Sequence, residues 1–287
     1  MCTQRTTTAT TDTHADHATA AAPALVPSPN WTKEALERSP RHREWVNVKA
    51  GDRTVSAYVV YPEVKNKATA VVVIHEIFGM SDWVQLEADQ LAAAGYIAIA
   101  PDLLSGMGAK GGGTGDFADN TSIGKAIRDL PPDQITSDLN AVADYVSKLP
   151  AANGKVTVAG FCWGGGQSFR FATNRPSLAA AFVFYGPGPE SPDAIAAIKA
   201  PVYGFYAGND ARIGATVPKT QELMKAAGKT YDVVTYEGAG HGFMRAGDAP
   251  PPPPSPDAGD KSQETYAANK RARDASWVRW KGVLEKL

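Results

Sequence analysis

Only two cysteines occur in 287 residues, Cys2 and Cys162. They can pair once at most, and Cys2 stands in a stretch too polar to order itself. A disulfide framework is therefore excluded, and cysteine usage leaves the redox compartment open. Neither sign of charge is in excess. Twenty-nine basic against thirty acidic residues leave a net charge of −1, hence no global field to attract nucleic acid or an anionic membrane. No apolar run approaches the roughly 20 residues that span a bilayer. Also missing are a Gly-x-Gly-x-x-Gly after an early strand, a phosphate-cradling Gly-x-x-x-x-Gly-Lys-Ser/Thr, and any cluster of His, Cys and carboxylates at metal-ligand spacing. No cofactor and no metal are implied.

The first thirty residues are rich in Thr, Ala and Pro and lack both apolar density and the basic start and apolar core of a signal peptide. The expected organisation is a disordered tail over 1–40 and one domain over 41–287. That composition suits a cytoplasmic protein. An exported one, periplasmic or lipid-anchored through Cys2 after signal removal, is the alternative.

Beyond the tail, two periodicities alternate. "REWVNVKAGDRTVSAYVVYP" (43–62) reads as a hairpin around Gly51-Asp52. "ATAVVVIH" (68–75) and "YIAIAPDL" (96–103) are strands apolar on both faces, with the helical pattern "WVQLEADQLAAAG" (83–95) between them. A helix over 132–149 precedes the strand "KVTVAG", and a helix begins near Gly164. Strands follow at 179–186, 201–208 and 231–238, with helices over 215–228 and about 261–285. The Gly-rich stretch 105–117 reads as a mobile surface excursion, a lid being the functional alternative, and the prolines at 250–254 as an extended segment. Together these predict an α/β fold: a mostly parallel, twisted sheet of about eight strands with an antiparallel start and helices on both faces. In such sheets function gathers at the carboxyl ends of the strands.

At one such end stands Gly160-Phe161-Cys162-Trp163-Gly164, between a strand and a helix. A strand that turns abruptly into a helix exposes its corner side chain, and glycines two before and two after remove Cβ atoms that would clash. The helix start favours a thiolate there. The competing reading is a small apolar filler. A thiol nucleophile needs a base. His14 and His17 lie in the tail and His42 precedes the first strand, which leaves His75 and His241. His241, in "EGAGHGFMR" after the last strand, completes the order nucleophile, acid, histidine found in α/β-hydrolases. Asp210, in "AGNDARI", is the acid placed to orient its imidazole, and Asp232 and Glu237 are weaker candidates within a strand pattern. Glu76 directly follows an apolar strand, a costly position for a carboxylate unless it is paired or used. Backbone N–H groups of Ile77 and Trp163 form a candidate oxyanion hole. His75 is read as structural.

"HEIFG", "GFCWGG", "GNDARI" and "GAGHGFMR" together resemble the dienelactone hydrolase family, from about residue 44 to the end. The resemblance implies a Cys162–His241–Asp210 triad, with Glu76 holding the thiol at rest and released when substrate binds. It also implies that Arg245 and Tyr185 contact substrate. The family's other substrate-binding arginine has no aligned counterpart here, Arg128 being the only arginine nearby. The implied reaction opens a lactone, or cleaves a small carboxylic ester, through an acyl-cysteine. Two alternatives remain: a general carboxylesterase or thioesterase with an apolar pocket, to which Trp163, Trp83 and Phe78 are suited, and a non-catalytic ligand-binding member. The expected partner is a small molecule, and the chain a monomer or homodimer.

Overall fold

The computed structural model of the chain describes residues 31–246 and 261–287, so the proline run lies outside the described residues. Order begins earlier than composition suggests. Trp31–Arg38 form a helix, α1, within the expected tail. Its Leu36 is buried, and α1 packs on α2 (Asp82–Ala93). The segment after α1 is fastened to a buried carboxylate on α2. Arg41 Nε donates to Asp89 Oδ1 at 3.0 Å, Arg41 Nη2 pairs with Oδ2, and Ser39 Oγ donates to Oδ1 at 2.5 Å. A polar anchor of this kind has no periodicity, which is why the pattern missed it.

Strands β1 (Arg43–Ala50) and β2 (Arg53–Val60) form the expected hairpin, with Ala50 opposite Arg53 and Gly51 at φ +61° in the two-residue turn. Six further strands follow: β3 (Ala68–Ile74), β4 (Ile97–Pro101), β5 (Ala152–Phe161), β6 (Ala180–Phe184), β7 (Val202–Ala207) and β8 (Tyr231–Tyr236). They assemble in the order β1-β2-β4-β3-β5-β6-β7-β8. Only β2 runs against its neighbours, and every pair from β4 to β8 is parallel.

Strand β3 explains why the sheet needs helices on both sides. Its residues are all buried. Val72 and Ile74 join the core on one face with Leu139, Val142 and Phe169, while Val71 and Val73 join the other with Leu91, Phe182 and Trp280. Helices α3 (Asn120–Arg128), α4 (Pro132–Ser147) and α5 (Trp163–Asn174) contribute to the first face. On the second lie α2 and the terminal helix, whose Trp277, Trp280 and Leu284 are buried as its pattern indicated. Short α6 (Pro192–Ala197), α3 and the one-turn α7 (Ala211–Gly214) were not anticipated, and the helix expected over 215–228 is α8 (Val217–Ala226). The terminal helix, α9, spans Lys261–Leu284.

The Gly-rich stretch is a further correction. Rather than a free excursion, it is tied to the end of β4. Asp102 accepts hydrogen bonds from Thr114 N (2.7 Å), Thr114 Oγ1 (2.8 Å) and Leu104 N (3.1 Å). Asp116 Oδ2 holds Gly112 N at 2.9 Å. A Cβ on Gly113 would lie 2.1 Å from Asp102 Oδ2. The glycines therefore allow the chain to wrap a carboxylate closely, and composition alone cannot tell that role from mobility.

Candidate active site

Strand β5 ends at Phe161, α5 begins at Trp163, and Cys162 alone makes the turn with φ +56° and ψ −117°. That backbone is strained for a residue with a Cβ. The surrounding glycines make it possible. A Cβ on Gly160 would sit 1.9 Å from Gly164 O, and one on Gly164 would sit 2.4 Å from His75 O. Cys162 N–H donates to Phe184 O at 3.0 Å, anchoring the corner to β6. Cys162 is half-buried at the head of α5, and its own carbonyl accepts from Gly165 N at 3.0 Å and Gly166 N at 3.4 Å.

The loops after β7 and β8 bring the other two groups to it. His241 Nε2 lies 3.0 Å from Cys162 Sγ, and Nδ1 lies 2.5 Å from Asp210 Oδ2. Asp210 caps α7 through its other oxygen, accepting from Ile213 N at 3.3 Å, which aims Oδ2 at the imidazole. The weaker acids are elsewhere: Asp232 pairs with Arg279, and Glu237 is exposed. His241 is held above the ordinary imidazole range, first by its hydrogen bond with Cys162, with Asp210 adding to the effect and partial burial opposing it. An imidazole in this position can exchange a proton with the thiol, and the carboxylate steadies its charged form.

Glu76 is 3% exposed, and burial pushes its carboxyl above the usual range while Arg245 opposes the shift. Its partner in this structure is that arginine and not the thiol. Arg245 Nε donates to Glu76 Oε2 at 2.5 Å, Nη2 contacts the same oxygen, and the guanidinium stacks 4.5 Å over the Phe78 ring. The described arrangement thus has the sulfur on His241 and the glutamate on Arg245.

Tyr185 has no solvent exposure and a φ of +40°. It packs edge-on against His241 (ring centroids 5.0 Å apart) and Phe243 (5.2 Å), and its hydroxyl is close enough to lower the Glu76 pKa. Tyr185 is thus fully buried against the imidazole, and it lies beside the proposed triad. Ile77 and Trp163 are partly buried on either side of the corner, the first following β3 and the second opening α5.

The dienelactone hydrolase family model matches residues 55–287. The chain belongs to that family. Among its relatives, a protein of Methylorubrum extorquens with the provisional name carboxymethylenebutenolidase is 32% identical over 213 residues, covering 69% of this chain and 71% of its own. A similarly named protein of Saccharolobus solfataricus is 29% identical over 266 residues, covering 81% and 94%. The solved structure of a provisionally named dienelactone hydrolase from Klebsiella pneumoniae superposes with a TM-score of 0.70 at 24% identity, covering 86% of this chain and 99% of its own, and supports the fold.

Three features of this dienelactone hydrolase family member were not visible as motifs. The histidine loop is clasped by two asparagines. Asn209 Nδ2 donates to Gly238 O at 3.1 Å, and Asn269 Oδ1, from α9, accepts from Gly240 N at 2.7 Å. Only the adjacency of Asn209 to Asp210 hinted at the first. The second feature is α3, which lies against the loop after β3. A Cβ on Gly124 would be 3.6 Å from Ile77 O and 3.5 Å from Arg128 Nη1, so the exposed Arg128 sits beside Ile77. The third is a cavity of about 410 Å³ beside Arg245, walled by Trp31, Phe78, Trp83 and Asn120. Its Trp31 comes from α1, ahead of the family match.

Among the described residues there is no group of three or more His, Cys, Asp or Glu able to hold a metal ion, and no helix long and apolar enough to cross a membrane.

Proposed function

We propose that this family hydrolase opens a lactone or cleaves a small carboxylic ester through an acyl-cysteine formed on Cys162. The observation that carries the reading is the line Asp210–His241–Cys162, ending in a sulfur on a strained corner at a helix start. His241 takes the thiol proton, and the thiolate attacks the carbonyl carbon. The carbonyl π pair moves to oxygen, where the Ile77 and Trp163 N–H groups receive it. Collapse breaks the acyl C–O bond, and the imidazolium protonates the departing alkoxide or enolate. Water, deprotonated by His241, then attacks the thioester, releasing the acid and restoring the thiolate. Asp210 stabilises the imidazolium in both halves.

Arg245 and Arg128 supply positive charge on two sides of Ile77, which suits a substrate bearing an acid group. The resemblance has Glu76 leave the thiol when substrate binds, and the arrangement described here, with the sulfur on His241 and Glu76 on Arg245, matches the released side of that exchange. A second reading, an esterase for neutral aromatic esters, is favoured by the Trp31, Phe78 and Trp83 walls of the cavity. In that case the Glu76–Arg245 pair stays closed.

Hydrolysis of p-nitrophenyl acetate by wild type and Cys162→Ala, side by side across pH, tests the mechanism. Turnover in the wild type and loss of at least about 10³-fold in the variant is expected. Equal rates in both would remove Cys162 as nucleophile.

A further inference from the structure

His75 is buried completely, immediately before Glu76, and takes no part in the mechanism above. Its contacts nevertheless lead to the reacting atoms. His75 Nδ1 lies 2.8 Å from Glu76 O, and a carbonyl can only accept, so Nδ1 carries the proton. The same carbonyl accepts from Gly79 N at 3.2 Å. Glu76 C=O and Ile77 N–H belong to one peptide unit. No peptide in the described chain is cis, so the two point in opposite directions from one plane. Whatever fixes the carbonyl therefore aims the N–H.

We infer that His75 is a positioning residue that sets the direction of the Ile77 N–H, with the Gly-rich loop bracing the same turn from outside. This rests on the proposed oxyanion role of Ile77. The brace is continuous: Met80 N donates to Thr114 Oγ1 at 3.1 Å, and Thr114 is held by Asp102. Gly79, at φ +68°, leaves room for it, since a Cβ there would lie 2.4 Å from Thr114 Oγ1. His75 also touches the second proposed donor, its ring stacking on that of Trp163 at 5.6 Å between centroids and 13° between planes. One side chain thus meets the carbonyl of the peptide that carries the first donor and the ring of the residue that supplies the second.

Burial lowers the pKa of this imidazole and so favours its neutral form. Nε2 has no hydrogen-bond partner among the described residues, so only Nδ1 is engaged. A ring wanted only to fill the core would bury no such polar atom at a cost.

The test compares His75→Phe, which keeps a flat ring against Trp163 but loses the donor, with His75→Asn, whose amide N–H falls near the Nδ1 position. Loss of a whole oxyanion donor costs about 10²–10³ in kcat, so loss of its aim is expected to cost roughly 10–100-fold. For p-nitrophenyl acetate, His75→Phe should lower kcat by that factor while KM moves less than about 2-fold, and His75→Asn should recover to within about 5-fold of wild type. Alkylation of Cys162 by iodoacetamide should proceed at the wild-type rate in both, because the thiol–imidazole pair is untouched. An unchanged kcat in His75→Phe, an Asn variant as slow as Phe, or a parallel fall in alkylation would overturn the assignment. Should His75→Phe not fold, Thr114→Val removes the outer brace and is expected to show the same split, with Thr114→Ser restoring kcat. Turnover that survives Cys162→Ala would sink the acyl-cysteine reading itself. Cys162-dependent turnover indifferent to His75 and Thr114 would overturn only this one.

Discussion

Cys162, His241 and Asp210 lie 31 to 79 residues apart in pairs, yet each is held by something other than its neighbour in the proposed triad. Cys162 is fixed by glycines that let α5 pack directly against β3, Asp210 by the α7 N–H it caps, and His241 by the clasped loop. Because Asp210 raises the His241 pKa by both hydrogen bond and charge, removing the charge has a defined sign. Asp210→Asn destabilises the imidazolium, so the His241-linked limb of the pH–rate profile moves to lower pH, and kcat falls by roughly 10²–10⁴. A profile for kcat/KM, measured with p-nitrophenyl acetate, checks it. A limb that stays in place would mean another acid orients the imidazole. Cys162 and Asp210 were legible in the sequence because their neighbours announce a turn. The role of His75 was not, since a hydrogen bond to the next residue's carbonyl depends on a rotamer that no spacing encodes.

Among the elements, α3 and the turn after β8 each reach the loop that carries Ile77, the first at Ile77 and the second at Phe78. Arg128 comes from the first and Arg245 from the second, 117 residues later in the chain. If both serve an acid group on the substrate, Arg128→Ala and Arg245→Ala should each raise KM for an acidic lactone by about 10-fold, and for a neutral ester by less than about 2-fold. Equal effects on the two substrates would remove the clamp. α3 escaped the sequence reading because "NTSIGKAIR" places a glycine inside a short helix, and its capping box of Asp119 and Ser122 forms only once the helix does. α1 escaped because its order depends on Arg41 reaching a carboxylate 48 residues away.

For the molecule as a whole, the cost of buried charge is best seen at Asp138, on α4. Burial raises its pKa from 3.8 to about 6, with Arg53 opposing from 3.3 Å. The folded state then holds this proton more tightly than the unfolded chain. The stabilisation is fully present below about pH 3.8 and is lost as pH rises through about 6. Replacing the carboxylate by an amide deletes that dependence. Thermal unfolding between pH 4 and 7 should therefore show a smaller decline with rising pH for Asp138→Asn than for wild type. Parallel curves would show that Asp138 does not titrate in this window.

The alternation of apolar runs determined by itself that β3 and β4 would be strands buried on both faces, that strands would follow at β5 to β8, and that helices would cover the sheet, because period is a local property of the chain. The short punctuation at residues 160–164 likewise determined that a thiol stands at a corner, since few backbones need glycines so placed. Tertiary structure alone decided which groups meet there. Glu76 settled on Arg245 instead of the thiol, Tyr185 was buried edge-on against His241, and the Gly-rich stretch wrapped Asp102. Each outcome turns on how a buried polar atom finds a partner across the fold, and that choice is made by packing distances that the order of residues does not contain.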